Sequence, residues 1–153
     1  MPDELHARVR DLLDQDSVPQ VRREAARALG VVAGTDVDRV EPLVKALDDP
    51  NDGVRRTATL ALGRIRDARS AEALVTILTS RPELWQEASA ALATAGDVEL
   101  LPRLVSLLDS DSSHVRCGAL RAIAAVVKKP APREEREPLF AYQDEEGQRH
   151  PLF

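Results

Sequence analysis

The chain has 153 residues, about the length of one domain, and its 43% hydrophobic content with only 3% aromatic residues favours closely packed helices over a β-sandwich. Its formal net charge of −5 argues against nucleic acid or anionic lipid as the default partner. The single cysteine, Cys117, excludes an internal disulfide, and no apolar run approaches the roughly 20 residues of a membrane span. We therefore expect a soluble, cytoplasmic protein.

Apolar residues at helical spacing predict eight helices separated by short polar turns. The first helix is expected over residues 3–16, with Leu5 and Leu12 on one face. Ser17 and Pro19 predict the start of the second helix, since serine is a good cap and proline is favoured in the first helical turn. The later helices are separated by polar or helix-breaking residues at 48–53, 66–69, 80–82, 96–97 and 110–113, and the last helix is expected to end near residue 128.

One sequence pattern recurs on the second helix of each predicted pair. Residues 54–63, VRRTATLALG, match residues 21–30, VRREAARALG, and looser copies begin at Leu84 and Val115. The four copies start 33, 30 and 31 residues apart. A period of this size is typical of stacked helical hairpins, because one hairpin cannot bury its own apolar face and needs neighbours in the stack.

Two segments connect this pattern to a known family. Residues 42–49, PLVKALDD, precede VRR at 54–56, and residues 96–109, GDVELLPRLVSLLD, precede HVR at 114–116. These segments resemble the HEAT-repeat family, in the short bacterial form also seen in phycobilin lyase subunits. The resemblance implies an all-α fold, an α-solenoid of four HEAT-like helical hairpins whose second helices line the concave surface. The implied repeats span about residues 3–33, 35–66, 70–96 and 97–128.

The composition changes at Pro130. Residues 130–153 contain four prolines, a charge run and three of the four aromatic residues of the chain, Phe140, Tyr142 and Phe153. We predict a repeat domain over residues 1–129 and a Pro- and charge-rich tail over 130–153. The composition favours a flexible tail, whereas its aromatic residues favour an ordered segment that caps the stack or docks on a partner.

The side of each second helix that faces away from the core is a candidate partner-binding surface. In the central copy this side carries Arg56, Thr59, Leu60 and Gly63. Its small residues serve equally well for ligand access or for packing between adjacent second helices. The residues that we predict to bind a partner protein are Arg23, Arg27, Arg56, Leu60, Trp85 and Arg121.

The arginine at the second position of three copies of the repeated pattern is expected to stabilise the fold and not to bind a partner. Arg22, Arg55 and Arg116 are expected to pair with aspartates in neighbouring turns, because the guanidinium fork suits carboxylates. The aspartates nearest in the pattern are Asp14, Asp48 and Asp109. In the third copy Trp85 takes this place, where it either packs between repeats or forms an interface hot spot.

No catalytic or metal-binding constellation is evident in the sequence. His6, His114 and His150 are far apart, and none lies at a ligand spacing from Cys117. The glycines are dispersed and form no phosphate-binding loop. We therefore predict no cofactor, no metal and no enzymatic activity.

The repeats favour a non-catalytic protein–protein interaction scaffold, or adaptor, that holds an acidic or helical segment of a partner. The first alternative is an accessory subunit of a lyase-type enzyme, which the family resemblance alone suggests. The second is a HEAT-like nucleic-acid-binding protein, which the net charge of −5 and the single tryptophan disfavour. Self-association through uncapped ends stays open.

Overall fold

The computed structural model describes residues 2–31, 36–95, 98–128, 140–143 and 149–152, and most of these are helical. The helices are α1 (Pro2–Gln15), α2 (Pro19–Leu29), α3 (Asp36–Lys45), α4 (Asp52–Ile65), α5 (Ala68–Ser80), α6 (Trp85–Ala95), α7 (Leu101–Ser106) and α8 (Ser113–Lys128). Short 3-10 turns occupy Ala46–Asp48, Pro82–Leu84, Val98–Leu100 and Leu107–Asp109. The predicted all-α solenoid of helical hairpins is confirmed. The predicted repeat boundaries near residues 33–35 and 96–97 lie outside the described residues.

A small hairpin follows the helices in sequence. Strands β1 (Phe140–Gln143) and β2 (Arg149–Leu152) pair antiparallel, with Phe140 opposite Leu152 and Gln143 opposite Arg149. The rest of the predicted tail lies outside the described residues. Whether residues 130–153 cap the stack or dock on a partner stays a prediction.

Local side-chain hydrogen bonds decide where the helices begin. Before α2, the Asp16 carboxylate accepts the N–H of Val18 at 2.8 Å, and Pro19 starts the helix. The N-cap residue of α2 is Val18, which makes no side-chain capping hydrogen bond, so the cap expected from Ser17 is not formed and the start of this helix is marked by Pro19. The helix α5 begins at Ala68, two residues before Ser70, because Asp67 is its cap and shares a reciprocal capping box with Ser70.

The four second helices form one continuous layer. α2 packs on α4, α4 on α6 and α6 on α8, while each first helix packs on the second helix of its own pair. Leu29, Leu62 and Leu92 occupy equivalent positions in three copies and are fully buried in the common core. These leucines supply the apolar burial that a single hairpin lacks.

Small residues set the spacing within this layer. A Cβ placed on Gly63 would lie 2.6 Å from the carbonyl oxygen and 2.7 Å from the Cα of Ala91. A Cβ on Gly30 would lie 3.0 Å from the Cα of Ala61. The backbones of successive second helices therefore approach so closely that a side chain between them has no room.

Candidate protein-binding surface

An exposed stripe runs along the second helix of the central pair. Asp52, Arg56, Leu60 and Arg64 are all exposed and fall every four residues on α4, so they share one face. Equivalent exposed positions follow on the neighbouring second helices. We call the whole set the second-helix surface, and its other members are Arg23 and Arg27 on α2, Val31 in the turn after α2, Gln86 and Thr94 on α6, and Cys117 and Arg121 on α8.

The candidate surface that the sequence suggested divides into two columns. Thr59 and Gly63 of α4 are buried, as are their equivalents Ala26 and Ser89 on the flanking helices. The hydroxyl of Thr59 is satisfied within its own helix by donating to the Arg55 carbonyl at 2.9 Å. This column serves packing between second helices, which leaves the arginine- and leucine-bearing column as the surface that a partner can reach.

Carboxylates lie among the arginines of this surface. Arg56 Nε is 2.9 Å from an Asp52 oxygen on its own helix, and Arg56 Nη1 is 3.6 Å from Glu87 on α6. Glu24 lies 3.5 Å from Arg23 and 3.3 Å from Arg27. Because these arginines are largely exposed, their ion pairs contribute little to stability and exchange readily with a partner's carboxylates.

Two arginines of the second-helix surface, Arg64 and Arg121, have no ion pair with any residue that the structure describes. The surface carries five arginines, and the carboxylates that pair with them are Asp52 of the surface itself and the adjoining Glu24 and Glu87. The surface therefore has a positive balance although the whole chain carries −5. Such a surface attracts an acidic segment. Exposed Leu60 adds an apolar contact at its centre.

Trp85 lies apart from this exposed stripe. It is half-buried against the core, and its ring centroid is 5.5 Å from that of His114, with the planes tilted by 44°. This ring contact joins the third and fourth hairpins at their turns. The structure thus brings Arg23, Arg27, Arg56, Leu60 and Arg121 to the second-helix surface and assigns Trp85 a packing contact.

The arginine at the second position of three copies of the repeated pattern binds the turn that precedes its helix. Arg22, Arg55 and Arg116 each donate from Nη1 to the carbonyl oxygen six residues earlier, at 2.8, 2.9 and 2.6 Å respectively. Carbonyl oxygens at the end of a helix need such donors. The recurring arginine is visible in the sequence, but its acceptor is a backbone carbonyl, which every residue carries, so only the structure shows this contact.

The predicted pairing with turn aspartates is confirmed for Arg22, which binds Asp49, and for Arg55, which binds Asp52. The partners suggested as examples, Asp14, Asp48 and Asp109, are not the ones used among the described residues. Asp14 pairs with Lys45, and Asp48 pairs with Arg81, both of which come from neighbouring hairpins. The aspartate that each arginine reaches depends on the distance between neighbouring turns. The helical spacing of the sequence does not give this distance.

One joint between hairpins is chemically stronger than the others. Arg22 donates from Nε and Nη2 to both oxygens of Asp49, at 2.7 and 2.9 Å. The Arg22 hydrogen bond lowers the pKa of the Asp49 carboxyl against the opposing effect of burial, and the N–H of Asn51 lowers it further. Asp49 therefore stays ionised and holds the first two hairpins together.

The opposite, first-helix side carries a separate open cleft of about 550 Å³ between α1 and α3. Acidic residues dominate its lining, among them Asp11, Asp14 and Glu41. Within the described part of the chain, no three His, Cys, Asp or Glu residues are grouped so that they could hold a metal ion. No helix there has both the length and the apolar character to cross a bilayer.

Helical hairpins stacked in register, with a shared exposed stripe on their second helices, define an α-solenoid repeat protein. Two family models match this chain, described as HEAT repeats over residues 7–93 and HEAT repeat over residues 100–129. The chain belongs to the HEAT-repeat family.

Several enzymes are similar to this chain. It is 31% identical over 123 residues to phycocyanobilin lyase subunit alpha of Nostoc sp., covering 72% of this chain and 44% of that protein. The solved complex of CpcE and CpcF of phycocyanin lyase from Nostoc sp. matches with a TM-score of 0.59 and 25% identity, over 84% of this chain and 55% of that chain. Human deoxyhypusine hydroxylase matches with a TM-score of 0.70 over 82% of this chain and 44% of that chain, and at 23% identity it shows the shared fold alone.

These relatives correct one prediction from the sequence. The chain was expected to be no enzyme, because it lacks a recognisable catalytic constellation, but the relative at 31% identity carries the name of a lyase subunit. The prediction that this chain is not an enzyme is therefore contradicted. The chain spans less than half the length of the phycocyanobilin lyase subunit that it matches.

Proposed function

We propose that this chain is a subunit of a lyase-type enzyme assembly and that it binds a partner protein on its second-helix surface. The observation that carries the proposal is the similarity to phycocyanobilin lyase subunit alpha, over 72% of this chain. The fold is also matched by a lyase complex of two named proteins, CpcE and CpcF. The scaffold function expected from the sequence then becomes one task within an enzyme assembly.

The charge of the second-helix surface supports a partner with an acidic segment. Arg23, Arg27 and Arg56 already lie against exposed carboxylates of this chain at 2.9 to 3.5 Å, so a partner's carboxylates can replace them at small cost. Arg121 offers a guanidinium with no such competitor among the described residues.

The shape of the surface supports a helical partner. Its exposed positions recur on the four second helices, so that the side chains of this surface lie at regular intervals across the stack. Exposed Leu60 lies between arginines on both sides, as an apolar anchor does in a charged groove. An amphipathic helix with acidic flanks matches this pattern.

A charge-reversal experiment tests the binding surface. The partner is first identified by tagging the chain in its native host, and its affinity is then measured with purified components. We expect Arg23→Glu, Arg56→Glu and Arg121→Glu together to weaken binding by at least about tenfold, since mutations at charged contacts change affinity on this scale. A matched variant reverses three exposed arginines of the first helices, Arg8, Arg10 and Arg103.

Circular dichroism verifies that both triple variants fold. Equal affinity of the two variants and the parent protein contradicts the proposed surface. The enzymatic part is tested separately, by adding phycocyanobilin to the purified chain with and without its partner. A change in the absorbance of the bilin supports a lyase-type assembly, and an unchanged spectrum in both samples contradicts it.

A further inference from the structure

The two ends of the solenoid carry the two halves of a contact that the interior already makes. Inside the stack, Nε and Nη2 of Arg22 donate to the two carboxylate oxygens of Asp49 in the next hairpin, at 2.7 and 2.9 Å. At the last hairpin, Arg116 occupies the position of Arg22. At the first hairpin, Asp16 occupies the position of Asp49, since each aspartate lies six residues before the arginine of its own copy.

Both end residues are held in the geometry of the internal pair. Asp16 accepts the N–H of Val18 at 2.8 Å, as Asp49 accepts that of Asn51 at 2.8 Å. Arg116 uses Nη1 for the carbonyl of Ser110, as Arg22 uses Nη1 for that of Asp16. Nothing that the structure describes occupies Nε and Nη2 of Arg116 or the second carboxylate oxygen of Asp16.

One large apolar residue on the second helix of the last hairpin is exposed at a position that the inner hairpins bury. Leu120 is 55% exposed, although its equivalents Ala26, Thr59 and Ser89 are fully buried between second helices. The second helix of the last hairpin thus presents the position that the next second helix covers at each internal joint.

The first hairpin of a second copy fits this surface. Ala28 of α2 is the equivalent of Ala61 and Ala91, which receive Gly30 and Gly63 from the preceding copy. Leu120 is larger than its internal equivalents, so the incoming helix is expected to lie farther from α8 than α6 lies from α4. The Arg–Asp contact and the apolar contact then act together.

We propose that the last hairpin of this protein binds the first hairpin of a second copy, so that Arg116 of one molecule grips Asp16 of the next and Leu120 is buried between them. The contact is head-to-tail and extends the solenoid across molecules. It is separate from the second-helix surface, which stays accessible along the whole assembly.

A charge swap tests this contact in the full chain by sedimentation velocity over a range of concentrations. The parent protein is expected to associate as its concentration rises. Asp16→Arg alone and Arg116→Asp alone should each weaken association by about tenfold or more, since each places like charges together. An equimolar mixture of the two variants should regain association, because each variant then meets its complement.

Leu120→Asp gives a second variant that does not depend on the turn geometry. It is expected to abolish association, while Leu60→Asp on the second-helix surface should leave it unchanged. Thermal melting confirms that each variant folds. A parent protein that stays monomeric at every concentration overturns the proposal, as does association that neither the charge variants nor Leu120→Asp reduces. Failure of partner binding by the second-helix surface would leave this result untouched.

Discussion

Arg22 and Asp49 form a two-pronged ion pair that joins the first two hairpins, with Nε–Oδ2 at 2.7 Å and Nη2–Oδ1 at 2.9 Å. Both side chains are largely buried, so the pair is shielded from solvent. The third nitrogen of the guanidinium holds the Asp16 carbonyl at the end of the first turn. One side chain thereby fixes its own turn and the turn of the next repeat.

The pH dependence of stability should follow from this pair. Arg22 lowers the pKa of Asp49 in the folded chain below that of an unfolded aspartate, about 3.9. The contribution is therefore complete above the unfolded pKa and is lost as the pH falls through the folded pKa. Asp49→Asn should lower the urea midpoint at about pH 7 and should lose less additional stability than the parent at about pH 3.

Exposed Asp111, whose carboxylate has no partner within the described residues, provides the control for this pH experiment. Asp111→Asn should behave like the parent protein at both pH values. The same loss of stability on acidification in Asp49→Asn and in the parent protein would refute the assignment of acid sensitivity to the Arg22–Asp49 pair.

Gly63 should not tolerate even a methyl group. Its Cβ would meet the backbone of Ala91 at 2.6 and 2.7 Å, and backbone cannot move aside without shifting α6. We expect Gly63→Ala to destabilise the fold by about 1–3 kcal/mol despite the better helix propensity of alanine. Chemical denaturation measures the change.

Gly118→Ala provides a matched comparison for this effect. The Cβ added there meets the tip of the Leu78 side chain, which can change rotamer, and not a backbone atom. The cost should therefore be smaller than at Gly63. A larger cost at Gly118 would argue against close backbone approach as the feature that sets the helix spacing.

Leu62 and Leu60 are two residues apart on α4 and should differ sharply on truncation. Leu62 is fully buried among the second helices, and Leu60 is exposed. Leu62→Ala should cost about 2–5 kcal/mol of unfolding free energy, as buried leucines do. Leu60→Ala should change stability by less than about 0.5 kcal/mol, so similar values for the two would contradict the assigned faces.

Arg66 ends α4 in the left-handed region, at φ 56°, where residues with a Cβ are strained. Glycine relieves this strain, so Arg66→Gly should stabilise the protein by up to about 1 kcal/mol in thermal unfolding. Arg64→Gly, two residues earlier and still helical, should instead destabilise by up to about 1 kcal/mol. Destabilisation by Arg66→Gly would mean that the arginine side chain has a contact that outweighs the strain.

The periodicity of the sequence predicted the helices well, because it reports local burial. Leu29, Leu62 and Leu92 recur at matching positions and lie in one core. Helix starts were less well predicted at the turns, since Val18 and not the expected Ser17 is the N-cap residue of α2. The contact of Arg22 with the carbonyl six residues earlier could not be read from the repeat, because every residue carries a backbone carbonyl and the sequence does not show which one the guanidinium reaches.

The sequence alone determined that this chain is a stack of helical hairpins, because a repeated apolar face that one hairpin cannot bury has no other stable arrangement. Only the tertiary structure decided which residues a partner can reach. Thr59 and Leu60 are adjacent and lie on the same side of an isolated helix, yet α6 covers Thr59 and leaves Leu60 exposed. The difference arises from the neighbouring helix, whose position depends on close packing at Gly63 and Ala91, and helical periodicity carries no information about it.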